Sequence, residues 1–117
     1  MEDLESVVPH IPSENMEETI KFMVDAFNFV SSSHSEFYSE LRSGNQVLGI
    51  LPSQGTPNEQ SIYLHVKDVD DLWSRIKSKI ERAKPRPPFN QAYGMREFHI
   101  VIPATNTLLF VGSALNS

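Results

Sequence analysis

The 117-residue chain has no cysteine, one tryptophan and only five glycines, which are scattered. Without thiols there is no disulfide, no thiolate metal site and no cysteine nucleophile. The glycines form no loop that could cradle a phosphate, and no Gly-x-Ser-x-Gly elbow marks a serine nucleophile. No apolar run is long enough to span a bilayer. Positive charge is in deficit too: ten Lys and Arg stand against fifteen Asp and Glu, a net charge of −5. That balance argues against nucleic acid, whose phosphates require Lys and Arg, and permits a cationic ligand. Met1 to Ser6 is acidic, unlike a secretory signal, so a cytoplasmic protein with no membrane partner is expected. At 39% hydrophobic and 21% charged, the composition suits one soluble domain with a single modest core.

Two stretches with similar patterns follow one another. Ser6 to Ile11 reads as a short strand, made irregular by Pro9, and Pro12-Ser13 as the turn out of it. Asn15 caps a helix, with Glu18 in the capping-box position. Met16, Ile20, Met23, Val24 and Phe27 form its buried stripe, and it ends near Asn28. Phe29 to Ser33, Phe37 to Arg42 and Gln46 to Leu51 read as strands, the last two joined by a Ser43-Gly44-Asn45 turn. Ser53 to Gln60 is a polar linker. Ser61 to Lys67 alternates as a strand. Asp68 then caps a second helix, whose stripe is Val69, Leu72, Trp73, Ile76 and Ile80, with Asp70 and Asp71 complementing the dipole. These acids lack the spaced loop of a calcium site. Ala83 to Pro88, with three prolines, is at most an extended edge. Met95 to Gly112 closes the chain as a hairpin interrupted at Pro103. The capped helices are offset by 53 residues, Asn15 to Asp68, and the hairpin turns by 61, Asn45 to Asn106; the proline-rich segment accounts for the difference.

Arg96-Glu97-Phe98, Pro103, Asn106 and Phe110-Val111 resemble the C-terminal signature of the vicinal-oxygen-chelate superfamily, which includes glyoxalase I, extradiol dioxygenases and bleomycin resistance proteins. The chain departs from that pattern at Ile102, Thr105 and Leu109, where Asp, Gly and, in metal-dependent members, Glu are usual. The resemblance covers essentially the whole chain. It implies an α+β fold of two βαβββ modules forming a curved mixed sheet with a cleft, module one at about 5–52, a linker at 53–60 and module two at 61–113. It also implies a homodimer, which would cover exposed edge strands.

In metal-dependent members the first and last strands of each module supply the ligands. Counting from the helix caps and hairpin turns puts those positions at Val8, Leu48, Ser61 and Leu109, none of them a good ligand. No metal or other cofactor is therefore expected. A His10–His65–His99 site would have a geometry foreign to the family. His34, in the serine run, is expected to be exposed. Trp73, Phe22, Phe27, Phe29, Phe98 and Phe110 read as packing residues. His10, Tyr63 and His65 share strand faces with the vacated metal positions, and Tyr93 sits at the entry to the closing hairpin. Of the adjacent pair Phe37 and Tyr38, one must face the cleft, and Tyr38 is the candidate. With Leu109 these residues make a set suited to stacking on a planar or partly aromatic organic molecule. The resemblance implies a metal-free protein that sequesters a small molecule, such as a glycopeptide-type antibiotic. The alternatives are a divergent lyase- or dioxygenase-like enzyme, with metal or with a His or Glu base, and a module that binds only a protein partner.

Overall fold

The computed structural model describes residues 2–115. The elements are β1 (His10–Ser13), α1 (Met16–Phe27), β2 (Val30–His34), β3 (Ser39–Ser43), β4 (Gln46–Pro52), β5 (Gln60–His65), α2 (Val69–Ile76), two 3-10 turns (Lys77–Lys79 and Glu81–Ala83), β6 (Arg86–Asn90), β7 (Met95–Ile102) and β8 (Thr107–Ala114). They build two four-stranded sheets, ordered β1-β4-β3-β2 and β5-β8-β7-β6. In each sheet the first strand runs parallel to the last, and the remaining neighbours are antiparallel. The βαβββ unit therefore occurs twice, as the spacing of caps and turns predicts.

Both caps form as expected. Asn15 Oδ1 accepts from the Glu18 N–H at 3.2 Å, and Asp68 Oδ1 from the Asp71 N–H at 3.1 Å. Each fills an orphan donor of a first helical turn. Asn28 ends α1 in the left-handed region, φ 58°, which asparagine tolerates. Several strand ends shift by one or two residues, and β6 lies at Arg86–Asn90 rather than 83–88; two further differences have a plain physical cause. β1 begins at His10 and includes Pro12 and Ser13. Pro9 has no N–H to give a ladder, and Pro12 is tolerated because β1 is an edge strand. The second helix is α-helical only to Ile76 and continues as 3-10 turns. Ile76, Ile80 and Ala83 are buried along that segment, and Lys84 at φ 53° ends it.

The sheets are two-faced because side chains alternate along a strand. On β7, Phe98, Ile100 and Ile102 are fully buried; on β8, Leu109 and Val111 are. These residues share one face through the register pairs Phe98–Val111 and Ile100–Leu109, and the Trp73 ring of α2 lies 5.1 Å from that of Phe98. In the first sheet, Ile11, Leu41, Leu48 and Ile50 join Phe22, Met23 and Ala26 of α1 in the same core. Phe29 is buried there too, while Phe27 and Trp73 are half-buried against it. The opposite face of each sheet carries no helix.

Polar contacts fasten the modules to each other. The Glu14 N–H donates to the Ala104 carbonyl at 2.8 Å. The buried Thr19 hydroxyl donates to the Pro103 carbonyl at 2.8 Å and lies 2.7 Å from Ser13 Oγ. Thr105 stands in the turn between β7 and β8. Its hydroxyl donates to the Ile102 carbonyl at 2.8 Å and accepts from the Thr107 N–H at 3.0 Å, which ties the turn together. Thr19→Val leaves the Pro103 carbonyl and Ser13 hydroxyl short of a partner, and is expected to cost about 1–3 kcal/mol. Urea unfolding followed by Trp73 fluorescence should show the loss, although Thr19 and Trp73 belong to different modules. An unchanged Trp73 transition would mean that the modules unfold independently.

Candidate ligand-binding face

The helix-free face of the second sheet is built from two adjacent rows of side chains. Register places Phe89, Glu97, Gly112 and His65 in one row, and Arg86, His99, Phe110 and Tyr63 in the next. Within these rows the rings form a continuous run across four strands. Tyr63 and His65 have centroids 4.6 Å apart, Tyr63 and Phe110 6.0 Å, Phe110 and His99 4.3 Å, and His99 and Phe89 5.1 Å. The Arg86 guanidinium lies 3.7 Å from the Phe89 centroid, a cation–π distance.

Beneath the rings lies Glu97, whose side chain is wholly buried. It accepts hydrogen bonds from the Tyr93 hydroxyl at 2.6 Å, the Tyr63 hydroxyl at 2.8 Å and the Gln91 amide at 3.2 Å, and it contacts His99 Nε2. Among the described residues no Lys or Arg pairs with it. Burial alone would push its carboxyl up, but the bonds from Tyr93, His99, Tyr63 and Gln91 outweigh that and bring it down to about 2. The carboxylate is thus held ionised by hydrogen bonding. The Tyr63 phenol is pushed well above its ordinary range, by burial first and by its bond to Glu97 second. Tyr93 moves the same way, chiefly through its bond to Glu97. Gly112 makes room for this arrangement: a Cβ there would lie 2.3 Å from the Tyr63 hydroxyl oxygen and 2.8 Å from the Arg96 carbonyl oxygen.

A smaller cluster occupies the helix-free face of the first sheet. His10 meets the Tyr38 ring edge-on at 5.7 Å. The Tyr38 hydroxyl donates to Glu40 Oε2 at 3.1 Å, and burial followed by that bond raises its pKa. Gly49 lies under both rings, since a Cβ there would be 2.7 Å from Tyr38 Cε1 and 2.9 Å from His10 Cδ2. Of the adjacent aromatic pair, Tyr38 turns onto this face, whereas Phe37 is 71% exposed. Between the modules a cleft of about 900 Å³ opens, with Tyr63, His65, Pro9, Phe29, Val47 and Leu64 in its wall.

The residues singled out from sequence therefore divide. Tyr63, His65 and Tyr93 gather on the second sheet, and His10 and Tyr38 on the first; among the described residues no ring contact joins the two groups. Leu109 is corrected: it is fully buried in the helix-facing core, paired with Ile62 and Ile100. Leu48 is likewise in the core. Counting from the turns placed both one residue out of phase, and one residue changes the face. The last-strand positions on the open faces are Val47 and Gly49, and Leu108 and Phe110, none of which carries a ligating group. Among the described residues, no three His, Asp or Glu side chains converge on a point where an ion could sit. His34 is exposed, as expected. Phe110 belongs to the ring run rather than the core; His99, read from sequence only as a conceivable metal ligand, and Glu97, read only as part of the hairpin signature, join the site with Phe89 and Gln91, which the sequence does not single out. One signal was legible: on β7 the polar Glu97 and His99 alternate with the apolar Phe98 and Ile100.

No family model matches the chain, and no curated protein matches it in sequence. Solved structures do. The bleomycin-binding protein from bleomycin-producing Streptomyces verticillus, complexed with copper(II)-bleomycin, superposes with a TM-score of 0.78 at 20% identity over 100% of both chains. The bleomycin resistance determinant encoded on the transposon Tn5 gives 0.81 at 20% identity, over 95% of this chain and 98% of that one. The chain has the glyoxalase/bleomycin-resistance fold. Lactoylglutathione lyase from Agrobacterium tumefaciens shares it, with a TM-score of 0.76 at 15% identity over 95% of each chain. The fold thus carries both binding proteins and enzymes, and the side chains on its open faces must discriminate between them.

The lowered pKa of Glu97 has a definite sign. A carboxyl that falls from 4.5 to about 2 on folding contributes stability that is fully present above pH 4.5 and is lost as pH falls through 2. Glu97→Gln also turns an amide donor toward groups that donate. The variant should be less stable at pH 7 by about 1–3 kcal/mol, and the gap from the parent should close between pH 4.5 and 2. Denaturant titrations across that range test this; a gap independent of pH would contradict it.

Proposed function

We propose that this protein binds a small organic molecule with a planar part and sequesters it without a metal, as a bleomycin-resistance-like protein. The observation that carries this reading is the continuous run of rings from His65 through Tyr63, Phe110 and His99 to Phe89. Rings of this kind bind flat groups by stacking and edge contact. Buried Glu97 and the −5 net charge favour a ligand that bears positive charge. The likeness to a bleomycin-binding protein and to a bleomycin resistance determinant makes bleomycin the first ligand to test. The protein works as a homodimer in which the His10–Tyr38 face of one chain meets the Tyr63–His65 face of another, so that both clusters line one cleft. Open sheet faces, and the edge strand β2, exposed at every residue, support that pairing.

A second reading rests on His99. With Nε2 donating to Glu97, the other ring nitrogen is a free acceptor, the arrangement of a general base oriented by a carboxylate. This is the enzyme alternative, and a substrate with an acidic C–H would suit it.

Bleomycin, metal-free and copper-loaded, should raise the melting temperature and bind in calorimetry. Stacking on one tyrosine is worth about 0.5–1.5 kcal/mol, so Tyr63→Ala should weaken binding roughly two- to tenfold. Light scattering should report a dimer. Elemental analysis that finds near one equivalent of zinc, nickel, manganese or iron per chain would overturn the metal-free reading and favour the enzyme.

A further inference from the structure

Although the chain is acidic, Arg75, Lys77, Lys79, Arg82, Lys84 and Arg86 fall within one short segment. The fold explains how they are displayed. Ile76, Ile80 and Ala83 are buried and pin the 3-10 turns to the core, while Lys77, Lys79, Arg82 and Lys84 are left exposed. Arg75 and Lys77 lie at the end of α2, where a cation offsets the helix dipole. Lys79 and Arg82 lie beyond that last turn, so the dipole does not account for them. Instead they line a cleft of about 560 Å³ between the 3-10 turns and α1, opposite Lys21, Phe22 and Asp25. Among the described residues, Lys79 and Arg82 have no carboxylate partner. The Arg82 guanidinium is held over the Phe22 ring at 5.7 Å to the centroid, which fixes its fork of donors before any ligand arrives. Lys21 pairs with Asp25 at 2.8 Å, both well exposed, so its ammonium can turn to a stronger anion at little cost.

We propose that this cleft is a binding site for a small multivalent phosphoryl anion, held by Arg82 and Lys79 with Lys21 closing from α1. The size and walls of the cleft favour a small molecule over an extended polyanion, and the protein's overall charge opposes the latter. The site lies on the helix side of the fold; Arg82 and Lys21 belong to it alone, while Lys79 also borders the cleft between the modules.

Inorganic pyrophosphate titrated into the ¹⁵N-labelled full chain at pH 7 and low ionic strength tests it. Saturable shifts should appear at amides 21–25 and 77–83, with none on β7 or β8. Lys79→Gln with Arg82→Gln should weaken binding by roughly tenfold or more, since charge-assisted bonds to both groups are lost. Asp25→Asn should strengthen binding, and 0.5 M salt, of the order of a few ångströms in Debye length, should weaken it. Shifts spread over Lys67 and Arg96 as well, or unchanged affinity in the double variant, would overturn the proposal. Tighter binding of an acidic peptide or a single-stranded oligonucleotide than of pyrophosphate would overturn it too. Arg82→Gln alone, at a residue of the anion cleft only, should weaken pyrophosphate binding and leave bleomycin binding unaffected, so failure of one site is distinguishable from failure of the other.

Discussion

The organisation of both sheets depends on the two-residue period of their strands. On β7 and β8 it sends Phe98, Ile100, Leu109 and Val111 into the core and Glu97, His99 and Phe110 to the opposite side. The helices supply the apolar surface that stabilises the first set. The second set has no helix to pack against and is held together by its own ring contacts and by Glu97. A shift of one residue in β7 would turn Glu97 into the apolar core and expose Phe98 and Ile100. The same alternation separates the part of the molecule that must stay packed from the part free to meet a ligand.

Glu97 gives that open face its internal order. A buried carboxylate without a cation partner is expensive unless its lone pairs are filled. Here two phenols, an amide and an imidazole fill them, drawn from β5, from the β6–β7 turn and from β7 itself. The consequence is positional: Tyr63 and His99 are fixed as ring surfaces, with the Tyr63 hydroxyl and His99 Nε2 already engaged. Gly112 belongs to the same design, since any side chain there would strike the Tyr63 hydroxyl. His10, Tyr38 and Gly49 repeat the pattern on the first sheet, with Glu40 as acceptor.

The fold was legible because its signals are local. Asn15 and Asp68 announce helix starts through their own side chains, and the turns at Ser43–Asn45 and Pro103–Asn106 bracket the hairpins. The site was legible only in part. Tyr63 and His65 follow from alternation within one strand, and Tyr93 from its place beside the hairpin. Leu109 was misplaced because counting from a turn carries no information about the register across the sheet. Glu97 stands in the hairpin signature, but its buried role is not legible there because a glutamate in a strand ordinarily marks the solvent side. Its role depends on donors 34, 4 and 6 residues away in sequence, at Tyr63, Tyr93 and Gln91, and only the folded chain brings these together.

If the ring run on the second sheet is the surface that meets the ligand, its rings must respond to binding. Aromatic side-chain NMR during a bleomycin titration tests it most directly. The ring resonances of Tyr63, His65, His99 and Phe110 should shift, with Trp73 and Phe98, on the helix-facing side, unperturbed. Binding that leaves those four rings unchanged and moves the helix-side resonances instead would contradict it.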